Sequence, residues 1–164
     1  MTIRIFTTGG TIDKTYFDQK NQYLFGEPQV PGILQRANVV VDFDVVSLMQ
    51  KDSLDMDDDD RALIRQAVVF DPASRIIITH GTDTMIRTAK HLQQIDGKTI
   101  VFTGSMLPAQ YRDSDAVFNL GCALTAVQIL GSGVYIAMNG RIFDPAHAVK
   151  NVALNRFEET VQTR

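Results

Sequence analysis

The strongest constraint on the fold is the stretch Arg75-Ile76-Ile77-Ile78-Thr79-His80-Gly81-Thr82-Asp83-Thr84-Met85. Its consecutive isoleucines are β-branched and read as a buried strand. Beyond Asp83, apolar residues recur at helical spacing (Met85, Ala89, Leu92). The polar cluster therefore sits on a strand-to-helix turn. Thr82 is a good N-cap residue, and Asp83 is expected in the first helical turn, where the dipole favours a negative charge. The same two residues set a hydroxyl beside a carboxylate on a tight glycine turn. In an open parallel sheet, ligands bind at that carboxyl end of the strands.

The rest of the chain repeats the pattern. Residues 3–6 read as a first strand running into Thr7-Thr8-Gly9-Gly10-Thr11-Ile12, where paired glycines allow positive φ and close backbone approach. Residues 13–31 are polar, aromatic and aperiodic, with Gly26, Pro28 and Pro31, and are expected to form a long irregular loop serving as a lid. A short helix is expected over 32–37 and a strand within 38–48, followed by Asp52-Ser53-Leu54-Asp55-Met56. Asp57, Asp58, Asp59 and Asp60 then open a helix carrying Ile64, Ala67 and Val68. Consecutive aspartates on a helix point in different directions, so they do not converge on one metal ion. A strand over 99–102 ends in Thr103-Gly104-Ser105, a long helix starts near Asp113 or Ser114, and a strand over 134–138 ends in the Asn139-Gly140 turn signal.

Strands alternating with helices predict an α/β fold: a doubly wound, open, mostly parallel sheet with helices on both faces, of flavodoxin-like or Rossmann-like type. One domain over 1–164 is expected. The small and polar clusters each follow a strand, so they collect along the carboxyl edge of the sheet as one crevice.

Composition excludes several classes. Hydrophobic content of 45% and charged content of 21% fit a soluble globular protein. A net charge of −3 with scattered Lys and Arg argues against a nucleic-acid partner. The single cysteine, Cys122, rules out an intrachain disulfide and a cysteine-based metal site, and reads as a small buried hydrophobe. The N-terminal apolar run is too short for a signal peptide, and no stretch approaches the roughly 20 apolar residues of a membrane span. The expectation is cytoplasmic, with no membrane partner. His80, His91 and His147 lack H-E-x-x-H or cysteine partners, and His80 reads as structural. Neither the dinucleotide fingerprint nor a phosphate loop is present, so no cofactor is expected.

Nucleophilic catalysis by a hydroxyl remains. Threonine needs a base to take its proton. No Ser-His-Asp order and no G-x-S-x-G elbow are present. A lysine of lowered pKa is the alternative base, and a nearby carboxylate holds such a side chain in place. Asp83 offers the carboxylate, and Lys150 lies beyond the last of these strands.

Thr8-Gly9-Gly10-Thr11-Ile12 and His80-Gly81-Thr82-Asp83-Thr84-Met85 resemble the two signature segments of the bacterial-type L-asparaginases. Asp55-Met56 after Ser53, Thr103-Gly104-Ser105-Met106 with Pro108, Asn119-Leu120, and Met138-Asn139 running on to Lys150 follow in the family's order. The resemblance implies that Thr11 is a nucleophile, with Tyr16 packed beside it. It implies that Thr82, Asp83 and Lys150 form a threonine–lysine–aspartate relay, and that Ser53 holds the substrate's α-carboxylate. Gly10, Ser53, Leu54, Gly81 and Ser105 are the expected lining of the substrate pocket. Backbone N–H groups at the helix start after Gly81 are the expected oxyanion donors, each worth ~3 kcal/mol. The implied reaction is attack on a side-chain amide, loss of ammonia and hydrolysis of an acyl-enzyme.

The sequence departs from the family in places. It ends at Arg164, where family members continue into a second, smaller α/β domain. Leu54 stands where the family usually has a glutamine, and Leu107 replaces a common arginine. Arg112 reads as a solvated loop residue. Two alternatives stand beside the amidohydrolase: a non-catalytic module that binds a small amide or amino acid, and an amidase subunit that works with a partner. A homodimer is expected, because the crevice is otherwise left open.

Overall fold

Ile76 and Ile78 point to one side of a sheet and Ile77 to the other, and all three are fully buried. The structure, a computed structural model, describes residues 2–160; the expected span of 1–164 reaches past them at both ends. In chain order the elements are β1 (Ile3–Gly9), β2 (Lys14–Phe17), β3 (Gln22–Phe25), α1 (Val30–Arg36), β4 (Phe43–Lys51), α2 (Asp58–Phe70), β5 (Arg75–Thr79), α3 (Met85–His91), β6 (Thr99–Thr103), α4 (Ala116–Ile129), β7 (Gly133–Met138), β8 (Arg141–Phe143), β9 (Ala148–Asn151) and β10 (Arg156–Glu159).

The main sheet runs β4-β1-β5-β6-β7-β8; every pairing in it is parallel except β7 with β8. Phe6, Ile76, Ile78, Ile100, Phe102 and Ile136 face one core, closed by Ile64 and Val68 of α2, Met85 and Ala89 of α3, and Leu92 just past its end. Ile3, Ile5, Ile77, Val101 and Ala137 face the other, closed by Val30, Ile33 and Leu34 of α1 and Leu120, Ala123 and Val127 of α4. Strands covered on both faces explain the unbroken apolar runs. At ~1.5–3 kcal/mol for each fully buried large aliphatic side chain, the two helical layers and the sheet hold one another in place. This is the doubly wound α/β architecture expected from the sequence.

Several local expectations change. Residues 13–31 are not an irregular loop. β2 and β3 form an antiparallel hairpin that pairs Tyr16 with Tyr23, and α1 begins at Val30 with Pro31 in its first turn, where a missing N–H costs nothing. Both hairpin strands are largely exposed, so they carry no core-facing alternation to read. The strand expected within 38–48 starts later, at Phe43, after Asn38 turns the chain at a φ of 52°. The helix expected to start at Thr82 starts at Met85, with Thr84 at its N-cap position and no side-chain cap. The hydroxyls of Thr82 and Thr84 are instead engaged in long-range hydrogen bonds, which override local capping preference.

Asp57 and Asp60 form a reciprocal capping box at the start of α2. Among the described residues no group of three or more potential ligands is arranged to hold a metal ion. Asn139 and Gly140, both at positive φ, close the tight β7–β8 hairpin. Cys122 on α4 is half-buried rather than fully buried. No helix among the described residues is long and apolar enough to cross a membrane.

Candidate active site

The sheet order reverses direction between β1 and β5: the chain passes from β1 to β4 on one side, then returns to β5 on the other. The loops that leave these two strands diverge at their carboxyl ends and frame a crevice there. Two glycines let the loops meet. Gly10 has a φ of 80°, and a β-carbon on it would lie 2.4 Å from the Gly81 nitrogen. A β-carbon on Gly81 would lie 2.7 Å from the Ser53 β-carbon. The turns after β1, β4 and β5 are thus in backbone-level contact. Thr11 follows the first glycine and Thr82 follows the second.

Lys150 enters from β9, in a two-stranded ribbon apart from the main sheet. Its Nζ donates to Thr82 Oγ1 at 2.8 Å and to Asp83 Oδ1 at 2.6 Å. The Lys150 side chain is 15% exposed and that of Asp83 43%, so the carboxylate meets solvent while the amine is largely covered. Thr82 is buried. The structure therefore brings Thr82, Asp83 and Lys150 together, as the resemblance implied.

Ser53 is buried against this group. Its Oγ accepts from the Thr84 N–H at 3.3 Å, and its carbonyl accepts from the Thr84 hydroxyl at 2.8 Å. Next to it, Asp52 accepts from Lys14 Nζ at 2.6 Å and from the Leu54 N–H at 3.1 Å. Burial pushes the Asp52 pKa up, but Lys14, the Leu54 N–H and the charge of Lys150 outweigh it and hold the carboxyl below its ordinary value. The Leu54 side chain itself points outward, 69% exposed.

Not every expected residue joins this group. Tyr16 packs edge-to-face on Tyr23 at 5.4 Å and its hydroxyl donates to Asn21, so its contacts lie within the hairpin. Tyr23 packs in turn on Tyr111 at 6.5 Å, which ties the hairpin to the loop after β6. Ser105 is buried, and its hydroxyl donates to the Leu107 carbonyl within its own loop. Arg112 is exposed, as expected.

His80 is fully buried, and its Nδ1 lies 2.7 Å from the Gly81 carbonyl. A carbonyl only accepts, so Nδ1 carries the proton. Burial is the main cause that lowers its pKa to about 4, against the Gly81 hydrogen bond and aided by the charge of Arg61. It is a neutral structural residue beneath the crevice.

Sequence reasoning missed two residues. Asp13 is 2% exposed, and its Oδ1 accepts from the Gln29 N–H at 2.8 Å, while its carbonyl accepts from the Gly26 N–H at 2.9 Å. It thereby closes the base of the hairpin beside Thr11. Burial raises its pKa to about 6, with the Gln29 hydrogen bond opposing. Arg61 is buried behind the Ser53–Thr84 pair. Neither residue carries a local signal, because its burial is created by segments distant in sequence.

A family model described as "Asparaginase, N-terminal" matches residues 2–159. An L-asparaginase of Thermococcus kodakarensis is 31% identical over 170 residues, covering 96% of this chain and 51% of the relative. The solved structure of the thermostable L-asparaginase from that organism superposes with a TM-score of 0.84 at 30% identity, over 97% of this chain and 51% of that one. A structure titled as a probable cytoplasmic L-asparaginase from Campylobacter jejuni gives a TM-score of 0.79 at 25% identity, over 96% and 51%. A shorter match, 37% identical over 79 residues, covers 47% of this chain and 18% of a glutamyl-tRNA(Gln) amidotransferase component from Haloquadratum walsbyi. Fold and site together define a doubly wound α/β domain with a threonine–lysine–aspartate cluster at its switch point. The chain belongs to the asparaginase family, through that family's N-terminal domain. It spans about half the length of the curated relatives it matches.

Proposed function

We propose that this domain carries the chemical half of an asparaginase-type amidohydrolase, which hydrolyses a small side-chain amide and releases ammonia. The observation that carries the reading is the double contact of Lys150 Nζ with Thr82 Oγ1 and Asp83 Oδ1. As an ammonium, Lys150 donates to both oxygens. Once it loses a proton, its lone pair faces Thr82 Oγ1 and can accept the threonine proton, while Asp83 keeps the amine in place. Thr11, one residue beyond the Gly10–Gly81 contact, is the nucleophile. Its oxygen attacks the amide carbon, the proton it loses passes to the amide nitrogen, which leaves as ammonia, and water cleaves the resulting ester, the Thr82–Lys150 pair taking the water's proton before it returns to the Thr11 oxygen. Ser53 is the donor for the substrate's carboxylate.

Ammonia release from a panel of asparagine, glutamine and other small primary amides tests the reading. Thr11→Ala and Thr82→Ala are each expected to abolish turnover. Unchanged rates would remove those residues from the mechanism. Thermal stabilisation by an amide without turnover would favour a binding module instead. The match to a glutamyl-tRNA(Gln) amidotransferase component favours a second reading, in which the ammonia passes to a partner protein; a pull-down that returns no partner counts against it. The name of the Campylobacter jejuni structure supports a cytoplasmic setting. The outer face of α4, with Val117, Phe118 and Ile129 exposed, supports a homodimer, which sedimentation tests.

A further inference from the structure

Arg61 stands in a run of aspartates at the start of α2, yet its side chain is 1% exposed. Its Nη1 donates to the Met56 carbonyl at 3.0 Å and the Asp57 carbonyl at 2.9 Å, and its Nη2 donates to Thr84 Oγ1 at 3.3 Å. Asp58, within ion-pair range at 3.7 Å, is 79% exposed, and the same oxygen accepts from Arg87 Nη2 at 3.0 Å. Burial pulls the guanidinium pKa down and Arg87 adds to this, against Asp58, Asp60 and Asp57, but an arginine stays charged. A charge held inside without a close buried counter-ion is costly, and an apolar side chain of similar volume would pack there more stably.

The hydrogen bonds of Thr84 give that charge a use. The Thr84 hydroxyl accepts from Arg61, so its own proton goes to the Ser53 carbonyl, and the Thr84 N–H goes to Ser53 Oγ. Ser53 Oγ is thus fixed as an acceptor on its protein side. Among the described residues its own hydrogen has no hydrogen-bond acceptor, which leaves it as a donor for the crevice. The chain from Arg61 through the Thr84 hydroxyl ends on the Ser53 carbonyl, so it fixes the backbone that carries the Ser53 hydroxyl, and the low dielectric of a buried site strengthens it.

We propose that Arg61 is a positioning residue for the substrate's anionic end: acting through Thr84, it orients Ser53 as a donor and sets a positive charge behind it. The inference rests on the amidohydrolase reading and adds to it a residue that never touches substrate. The test measures kcat and KM for asparagine and for propionamide, a neutral amide without a carboxylate, in the wild type, Arg61→Gln, Arg61→Lys and Thr84→Val. Arg61→Gln is expected to raise KM for asparagine by ~10-fold or more, the scale of a lost charge-assisted contact, with kcat within about threefold. KM for propionamide stays unchanged, Arg61→Lys recovers most of the loss, and Thr84→Val repeats it. An unchanged KM for asparagine, or equal shifts for both amides, overturns the proposal.

A second arm is independent of turnover: stabilisation of each protein against heat by L-aspartate. A wild type without turnover that aspartate stabilises, and an Arg61→Gln variant that it does not, would end the amidohydrolase reading and keep Arg61 in its role. A wild type that turns over, with Arg61→Gln its equal, would end only the role of Arg61. No turnover and no stabilisation would overturn both. Should Arg61→Gln fail to fold by circular dichroism, Thr84→Val decides, since it keeps the branched shape and the backbone N–H while losing the hydroxyl.

Discussion

Lys150 Nζ and Asp83 Oδ1 are 2.6 Å apart although 67 residues separate them in the chain. The contact joins a ribbon outside the main sheet to the turn at the end of a central strand. Nothing in the stability of the fold requires an ion pair here, because one partner is nearly half exposed. Lys150→Met is therefore expected to change stability by under ~1 kcal/mol while lowering kcat by ~100-fold or more. Chemical denaturation and ammonia release on the same preparation separate the two effects.

The Gly10–Gly81 contact predicts the opposite balance. Gly10→Ala introduces a β-carbon 2.4 Å from backbone that is itself packed on Ser53, at a φ of 80°. Neither side can give way by turning a side chain. A loss of roughly 1–3 kcal/mol is expected from the strained φ and the clash together, with activity lost because Thr11 moves with residue 10. The shift of the urea midpoint measures the first effect.

Asp13 makes stability depend on pH. Its folded pKa, about 6, lies above its ordinary value of 3.8. The folded state therefore holds the proton more tightly than the unfolded chain. Stability from this group is complete below pH 3.8 and is lost as pH rises through about 6, a difference of about 3 kcal/mol. Asp13→Asn keeps an acceptor for the Gln29 N–H and removes the charge. It is expected to raise the melting temperature at pH 7.5 and to leave it nearly unchanged at pH 4.

His80 has the reverse sign. Its folded pKa, about 4, lies below its ordinary value of 6.5. Stability from the neutral ring is complete above pH 6.5 and is lost as pH falls through about 4. Between pH 4 and 6 the slopes of His80 and Asp13 oppose each other. Melting curves of Asp13→Asn over that interval are expected to show the acid sensitivity that the wild type conceals. A flat profile in the variant would contradict the burial of His80 as its cause.

How far the sequence could be read follows from where each signal resides. The Ile76-Ile77-Ile78 run and the Gly-Thr turns are local, so the strands, the sheet type and the crevice edge were legible. The β2–β3 hairpin was not, because its strands face solvent on most positions and Tyr16 pairs with Tyr23 without a glycine turn signal. Thr82 read as a cap because capping is a local preference, whereas its hydroxyl accepts from Lys150, brought in by chain 68 residues away. Arg61 follows four aspartates and carries no local signal of burial. Only the packing of α2 against the Thr84 turn buries it. The residues offer Lys150 and Asp83 as a base and its carboxylate, but their meeting with Thr82 is implied only by family likeness, since spacing does not report which distant loops meet.

The β9–β10 ribbon has a consequence for biosynthesis. All six strands of the main sheet end by Phe143, and the amine that serves them arrives at position 150. A ribosome releases the chain from its N-terminus onward, so every strand of the scaffold emerges before Lys150 does. The order of synthesis therefore brings the proposed base last to a crevice whose other groups precede it in the chain.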